Sequence, residues 1–473
     1  MTFRPQPLGL AAARVPRADT QQGESLSHRS TILGQASARP RLRPAAPAVA
    51  LGLGLLVLAL VGAPRARAED PLPGFDGYPP VDSIAMARAD SVAAAEVRAM
   101  VGTFPAAPGD TSRPAVEYLW VVRGTLVERG GIERLVERAK AMRVRGLLVQ
   151  VVGRGDAWYR SDILPRPEAL PDTTRDPLGE LLPLAHAAGL EVHAWMNCCL
   201  VWSAPQPPRA RRHVMHEHPE WVARLRDGRS MARLTARERQ RLRVEGVFLS
   251  PAHPAVRSWI ANIAREIASR YDVDGIHLDY IRQPIVPIGN DPTSRAQFAL
   301  HAGADPLEFA RLPAGERARM DSAWAIFQRD QVTAIVREVR DSVNAVRPGL
   351  PLSAAVLADT LAALRHNRQA WCAWLREGLL DRAFPMCYAP PVQTVLSQLA
   401  IMSEQVGTDR LVPGIAVYNT PPSSAAAKIK GARALGFPAV ALYSYDSLWE
   451  RSDRWPRLLA FVNGPHGPLE ARP

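Results

Sequence analysis

The chain is poor in the residues that mark several common classes of function. Four cysteines occur in 473 residues (Cys198, Cys199, Cys372 and Cys387), and their spacing matches no zinc ribbon. They read as isolated buried thiols, with Cys198 and Cys199 facing opposite ways if they lie on a strand. No glycine-rich first turn is present, which argues against an open dinucleotide-binding sheet. No basic stripe interleaved with aromatics occurs, so no nucleic-acid partner is expected. There is no internal repeat. The histidine-rich stretch HVMHEHPEW (213–221) lacks the helical two-histidine spacing of a zinc protease, so neither a metal nor a cofactor is expected. Its Trp221 is expected to pack or to touch substrate.

A long apolar run, AAPAVALGLGLLVLALVGA, lies near the start. Arg39, Arg41 and Arg43 precede it, and the small residues ARA (66–68) stand before Glu69, a pattern that resembles a secretory signal cut after Ala68. A run of roughly 17–19 residues also suffices to span a bilayer, so an uncleaved N-terminal anchor is the alternative and the one membrane contact expected. No cysteine follows the run to carry a lipid. The protein is therefore expected in the periplasm, the cell envelope or the medium. Residues 1–68 hold nine Arg and no Lys against Asp19 and Glu24, a net of +7; taking this from the chain's +12 leaves +5 on the rest. So mild a balance suits a polyanionic or neutral polymer as partner. Residues 69–115, rich in Pro, Ala and Gly, read as a linker or N-terminal strap, and 116–465 as the catalytic-type domain. Oligomeric state is not legible.

From residue 116 onward, short apolar runs alternate with amphipathic stretches. Strands are expected at 116–122, 146–152, 191–198, 275–281, 351–358, 381–388, 411–418 and 439–446. Helical patterns separate them, one opened by Asp176-Pro177 and closed by Gly189. Eight strands with seven intervening helices make an α/β protein of the closed (β/α)₈, or TIM-barrel, type. Two connections, 199–252 after the third strand and 282–320 after the fourth, are too long to be simple turns. Both leave from C-terminal strand ends and are expected to wall a cleft.

Strand side chains alternate between faces. His193, Trp195 and Asn197 therefore share one face of the third strand, and His277 and Asp279 one face of the fourth, opposite Ile276, Leu278 and Tyr280. The apolar faces suit the helices, so the polar sets point to the barrel axis. Tyr388, Tyr418 and Tyr443 come near later strand ends, while Tyr280 and Arg282 sit at and just past the fourth. Aromatic faces for sugar C–H surfaces and fixed dipoles for hydroxyls are what a glycan site needs. A lone inward histidine is more often a satisfied core group, but these polar residues cluster at the active face. Asp274, before its strand, reads as structural.

The strings DPLGELLPLAHAAGLEVHAWMN, HPEWV, SPAHPAVRSWIANIAREIASRYDVDGIHLDYIRQP, FPMCYA, GIAVYN and ALYSYDSL occur in that order. Together they resemble the glycosyl-hydrolase-like 10 family of exported bacterial barrels, over about residues 116–450. The resemblance implies glycosidase action on cell-envelope glycans, with peptide-free peptidoglycan strands foremost. It places the catalytic candidate on Asp279, with His193 and Asn197 matching the third-strand polar residues. The chain departs from the family pattern in three places. LDYIRQP stands where many relatives carry FDDYFYP. Phe327-Gln328-Arg329 stands for Trp-Arg-Arg, and Asn197-Cys198-Cys199 for Asn-Pro-Tyr.

Glycoside hydrolysis normally needs two carboxyl groups flanking the bond. Asp279 supplies one, its pKa open to tuning by His277 or a nearby tyrosine. For the second, Asp359 after the fifth strand is the first choice and Asp446 at the eighth the next. Asp156, Asp162, Glu217, Glu220 and the substrate's own N-acetyl group stay open, and with them retention or inversion. The alternatives to peptidoglycan hydrolysis are cleavage of a poly-N-acetylglucosamine exopolysaccharide, glycan binding without catalysis, and metal-dependent deacetylation.

Overall fold

The structure, a computed structural model, describes residues 114–463. The expected signal or anchor (1–68) and all but the last two residues of the expected strap (69–115) lie outside the described residues. Eight parallel strands form a closed barrel: β1 (Tyr118–Val121), β2 (Gly146–Val152), β3 (Glu191–Asn197), β4 (Gly275–Asp279), β5 (Leu352–Leu357), β6 (Arg382–Cys387), β7 (Gly414–Ala416) and β8 (Ala441–Tyr443). Each pairs with its neighbours in sequence, and β8 closes on β1 through Tyr118↔Ala441. All eight fall inside the windows read from the sequence.

The period of two separates two cores. Leu119, Leu147, Val149, Val192, Ala194, Ile276, Leu278, Val356 and Leu442 point outward into the shell shared with the helices. Tyr118, Trp120, Leu148, Trp195, Ala355, Phe384 and Met386 fill the barrel itself. Burial of each large outward side chain contributes roughly 1.5–3 kcal/mol, and a one-residue slip would turn that whole set inward. Register is thus fixed by the shell. Inside, small residues make room for large rings. A Cβ on Gly414 would stand 2.7 Å from the Trp120 ring, and one on Gly275 would stand 2.2 Å from His193 Nδ1.

The seven helices expected between strands are all present: α1 (Gly131–Met142), α2 (Pro177–Ala187), α3 (Pro254–Arg270), α4 (Ala314–Val346), α5 (Trp371–Arg376), α6 (Val392–Val406) and α7 (Pro422–Ala434). Asp176 caps α2 by accepting the Gly179 N–H at 3.1 Å, with Pro177 at its first position, and Gly189 leaves it with φ +76°. Helix α4 begins ten residues before its apolar stripe, which starts at Trp324. Its first turns are charged and carry no stripe; in the preceding connection Phe298 packs against Trp324 and Phe327 further along, and Phe309 packs against Phe298.

The two long connections leave the C-terminal rim as expected. The first carries an antiparallel pair, Leu200–Trp202 with Val247–Phe248. The second carries a helix, Pro292–Ala302, ahead of α4. Past the rim, the Cys198 and Cys199 amides donate to the Asp279 and Tyr280 carbonyls at 2.8 and 3.2 Å. This bonding pins the end of β4 to the end of β3. The cysteines are free thiols, and three of the four are buried.

Candidate active site

The inward side chains of β3 and β4 stand at three depths. Deepest is His193, its Nε2 3.3 Å from Glu191 Oε2. Glu191 is in turn held by Arg145 at 2.9 Å, and Tyr118 packs edge-on against the His193 ring. His277 is one layer up and fully buried. Its Nε2 accepts the Trp120 indole N–H at 3.1 Å, its Nδ1 lies 2.9 Å from Ser353 Oγ, and the Phe384 ring sits 5.0 Å away. Burial holds its pKa well below the usual histidine range, with His193 adding to the effect. Neither histidine lines the cavity at the rim, which corrects the expectation that both contact substrate. Nor does His277 hydrogen-bond Asp279. Alternation identifies a face, not a depth, and His277 stands two residues, roughly 6–7 Å, below the rim.

At the rim are Asn197 and Asp279, paired in register, with Trp195 reaching up between them. The Trp195 indole N–H is shared between Asp279 Oδ2 and Asn197 Oδ1, each at 3.2 Å. Asp279 Oδ1 accepts the Tyr280 N–H at 2.6 Å, and Asn197 donates to the Gly153 carbonyl at 2.9 Å. Only 6% of Asp279 is exposed. Burial raises its pKa from 3.8 to about 6, and the negative charge of Glu245 adds to the rise; Arg282 and the two N–H donors oppose it. Tyr280 has φ +50°, a left-handed backbone unusual for an aromatic residue. The break in alternation comes where the strand ends, and Tyr280 lines the cavity although strict alternation sets it on the helix side.

A pocket of about 50 Å³ lies against Asp279. It shares Arg123, Arg154 and Tyr443 with a cleft of about 810 Å³. Tyr388 and Tyr443 stack with ring centroids 5.3 Å apart, and Tyr418 meets both edge-on at 6.2 and 5.9 Å. Trp195 approaches Tyr443 at 6.3 Å. The tyrosines, individually weak as sequence signals, thus form one aromatic wall. Lys428 supports it from behind, donating to the Ala389 carbonyl at 2.8 Å and to Thr420 Oγ1 at 3.3 Å. The cleft is walled largely by residues 154–169 after β2 and 202–213 after β3; no residue of the connection 282–320 lines the pocket or the cleft, which corrects the expectation that both long connections would wall it.

The carboxylates do not fall as expected. Asp359 is exposed and caps the helix Thr360–Arg365, accepting the Ala362 N–H at 2.8 Å; it does not line the cavity with Asp279. Asp446 lines the larger cleft, accepting the Val122 N–H at 2.9 Å and the Thr125 hydroxyl. Burial raises its pKa. Asp156 lines that cleft too, while Asp162 and Glu220 pair with Arg270 and His218. The carboxylate that shares Asp279's pocket is Glu245, from the connection after β3. Its Oε1 lies 2.7 Å from Arg282 Nη2, and its Oε2 is buried without a hydrogen-bond donor. Arg282, 2% exposed, stands 4.8 Å from the Tyr280 ring centroid and does not line the pocket. It supports Glu245 and Tyr280 rather than meeting substrate.

The histidine-rich stretch packs. Trp221 stacks on His218 at 3.8 Å, and His213 caps a short helix. Among the described residues, no group of three or more His, Cys, Asp or Glu is placed to hold a metal.

A closed parallel barrel with a buried acid at its C-terminal rim, facing an aromatic wall, has the architecture of a barrel glycosidase. The chain belongs to the family described as Glycosyl hydrolase-like 10, whose model matches residues 121–423. It is 22% identical over 277 residues to the glycosyl hydrolase YngK of Bacillus subtilis, covering 54% of this chain and 48% of that protein. To the glycosyl hydrolase DigH of Escherichia coli K12 it is 24% identical over 294 residues, covering 57% of this chain and 60% of that protein. The chain thus spans about half to three-fifths of these relatives' length. The PgaB (BpsB) glycoside hydrolase domain of Bordetella bronchiseptica superposes with a TM-score of 0.54 at 17% identity, covering 74% of this chain and 99% of that domain, and shares the fold.

Proposed function

We propose that the protein is an exported glycoside hydrolase acting on amino-sugar glycans of the bacterial envelope, with peptide-free peptidoglycan strands the first substrate to try. The observation that carries this reading is Asp279: a carboxylic acid at a barrel-strand end, buried enough to hold its proton up to about pH 6, beside an aromatic wall. An acid so poised can protonate the glycosidic oxygen as it leaves. Glu245, in the same pocket and charge-paired with Arg282, is the natural second carboxylate, activating water or meeting the developing positive charge at the sugar carbon. Trp195 and Tyr280 hold Asp279 in place through N–H donors, and Tyr388, Tyr418 and Tyr443 offer ring faces to the sugar. The signal-like leader supports export.

The test is digestion of peptide-free peptidoglycan strands and of poly-N-acetylglucosamine by wild type and by Asp279→Asn. Soluble products from wild type and none from the variant are expected. Equal products from both would remove Asp279 from catalysis, and retention of strands without shortening would leave a glycan-binding barrel.

A further inference from the structure

The pocket and the cleft meet at two arginines. Arg123 follows β1 and lies across the end of β2, where a Cβ on Gly153 would come within 2.9 Å of its Cδ; glycine there makes room for the stem. Its Nη1 donates to Gln150 Oε1 at 2.7 Å, and among the described residues no carboxylate pairs with it. Gln150 Nε2 continues at 3.5 Å to Asn197 Oδ1, which also accepts from Trp195, the residue that donates to Asp279. A chain of hydrogen bonds through neutral side chains therefore ties this guanidinium to the bed of the acid. Arg154 stands beside it, its Nε on Ser203 Oγ at 2.9 Å.

Of the acids that line the cleft, Asp446 takes Thr125 and the Val122 amide, Asp156 takes the Arg154 main-chain N–H at 2.9 Å, Glu168 pairs with Arg209 at 3.7 Å and Glu450 lies 3.9 Å from Arg454. A half-buried guanidinium held by a neutral amide, at the junction of two cavities, is a receptor for a planar anion.

We propose that Arg123, with Arg154 beside it, binds a carboxylate carried by the sugar that lies between the pocket and the cleft. The preferred substrate is then an acidic glycan. The acid is either a lactyl ether on an amino sugar, as in muramic acid, or a uronic acid, and neutral poly-N-acetylglucosamine is a poorer ligand. This inference deepens, and rests on, the reading of the pocket as a glycan site.

Binding is measured by tryptophan fluorescence titration with three ligands: peptide-free peptidoglycan strands, the same strands with their carboxylates methyl-esterified, and a uronic-acid polymer. Wild type is expected to bind the free acid roughly ten- to a hundredfold more tightly than the ester, the range of a charge-assisted contact. In Arg123→Gln that ratio falls toward one. The preference in wild type weakens with added salt, a readout that needs no variant. Tight binding of the uronic polymer but not of the free-acid strands assigns the acid to a uronate; the converse assigns it to the lactyl group. Equal wild-type affinity for free-acid and esterified strands without tight binding of the uronic polymer, binding of neither acid, or an acid preference (the strand ratio, or the affinity for the uronic polymer) undiminished in a folded Arg123→Gln overturns the inference. Acid-selective binding without hydrolysis would instead overturn the catalytic reading and leave this one standing.

Discussion

Replacing Asp279 by Asn should stabilise the folded protein at neutral pH while abolishing hydrolysis. Asp279 is nearly fully buried, and its pKa stands at about 6 against 3.8. A rise of that size corresponds to roughly 3 kcal/mol between the two protonation states. The folded chain holds this proton more tightly than the unfolded chain, so the wild type loses stability as pH rises from about 4 through 6. Below that window both states are protonated and the penalty is absent; above it the penalty is complete. Asn does not titrate and escapes it. Asn does leave one of the two donors, Trp195 Nε1–H or the Tyr280 N–H, without its acceptor, a loss of about 1 kcal/mol at any pH. The variant should therefore be about half a kcal/mol less stable than wild type at pH 4, where the unfolded carboxyl has begun to ionise, and about 2 kcal/mol more stable at pH 8. Urea unfolding followed by tryptophan fluorescence across that range measures the gap. A gap that does not change between pH 4 and pH 8 would refute the claim that a buried, proton-retaining acid sits at the rim.

Other consequences can be read from the same site. The rate kcat/KM should fall as pH rises past about 6, as Asp279 loses its proton. Glu245→Gln should lower kcat by at least about a hundredfold with little change in KM, and should move that falling limb to lower pH because a neighbouring negative charge is removed. Trp195→Phe keeps the ring but deletes the N–H on Asp279, so the limb should move to higher pH, seen in the same rate profile. Gly414→Ala would press a methyl into the Trp120 ring and should lower stability by about 1–3 kcal/mol in thermal or urea unfolding.

Nearly all of the barrel was legible because its strands are short, apolar on the helix-facing side and separated by capped helices. Leu119, Val192, Ile276 and their like carry the shell, and no other register buries them all. The first turns of α4 were not legible. Residues 314–323 are mostly charged and small, and an exposed helical end without a stripe leaves no periodic trace.

The candidate site divides by the same logic. Period two correctly put Trp195, Asn197 and Asp279 on the axis, and it put His193 and His277 there as well, because a rule about faces carries no information about height. Height follows from register: Asn197 stands opposite Asp279 at the last rung, while His277 is level with Trp195 and is closed over by Trp120 and Phe384. Asp359 looked suitable because it follows a strand, but an Asp standing just before a short helix is equally well placed to cap it, and capping is what it does. Glu245 gave no such signal. It lies in a connection of more than fifty residues, on no strand of the barrel, two positions before the short Val247–Phe248 strand. What brings it to Asp279's pocket is the pairing of that strand with Leu200–Trp202 and the ion pair with Arg282. Set against the pattern FDDYFYP, LDYIRQP has Tyr280 in place of the second Asp and Arg282 in place of a Phe. The stretch that lacks one carboxylate thus supplies, two positions on, the cation that holds Glu245 in the pocket.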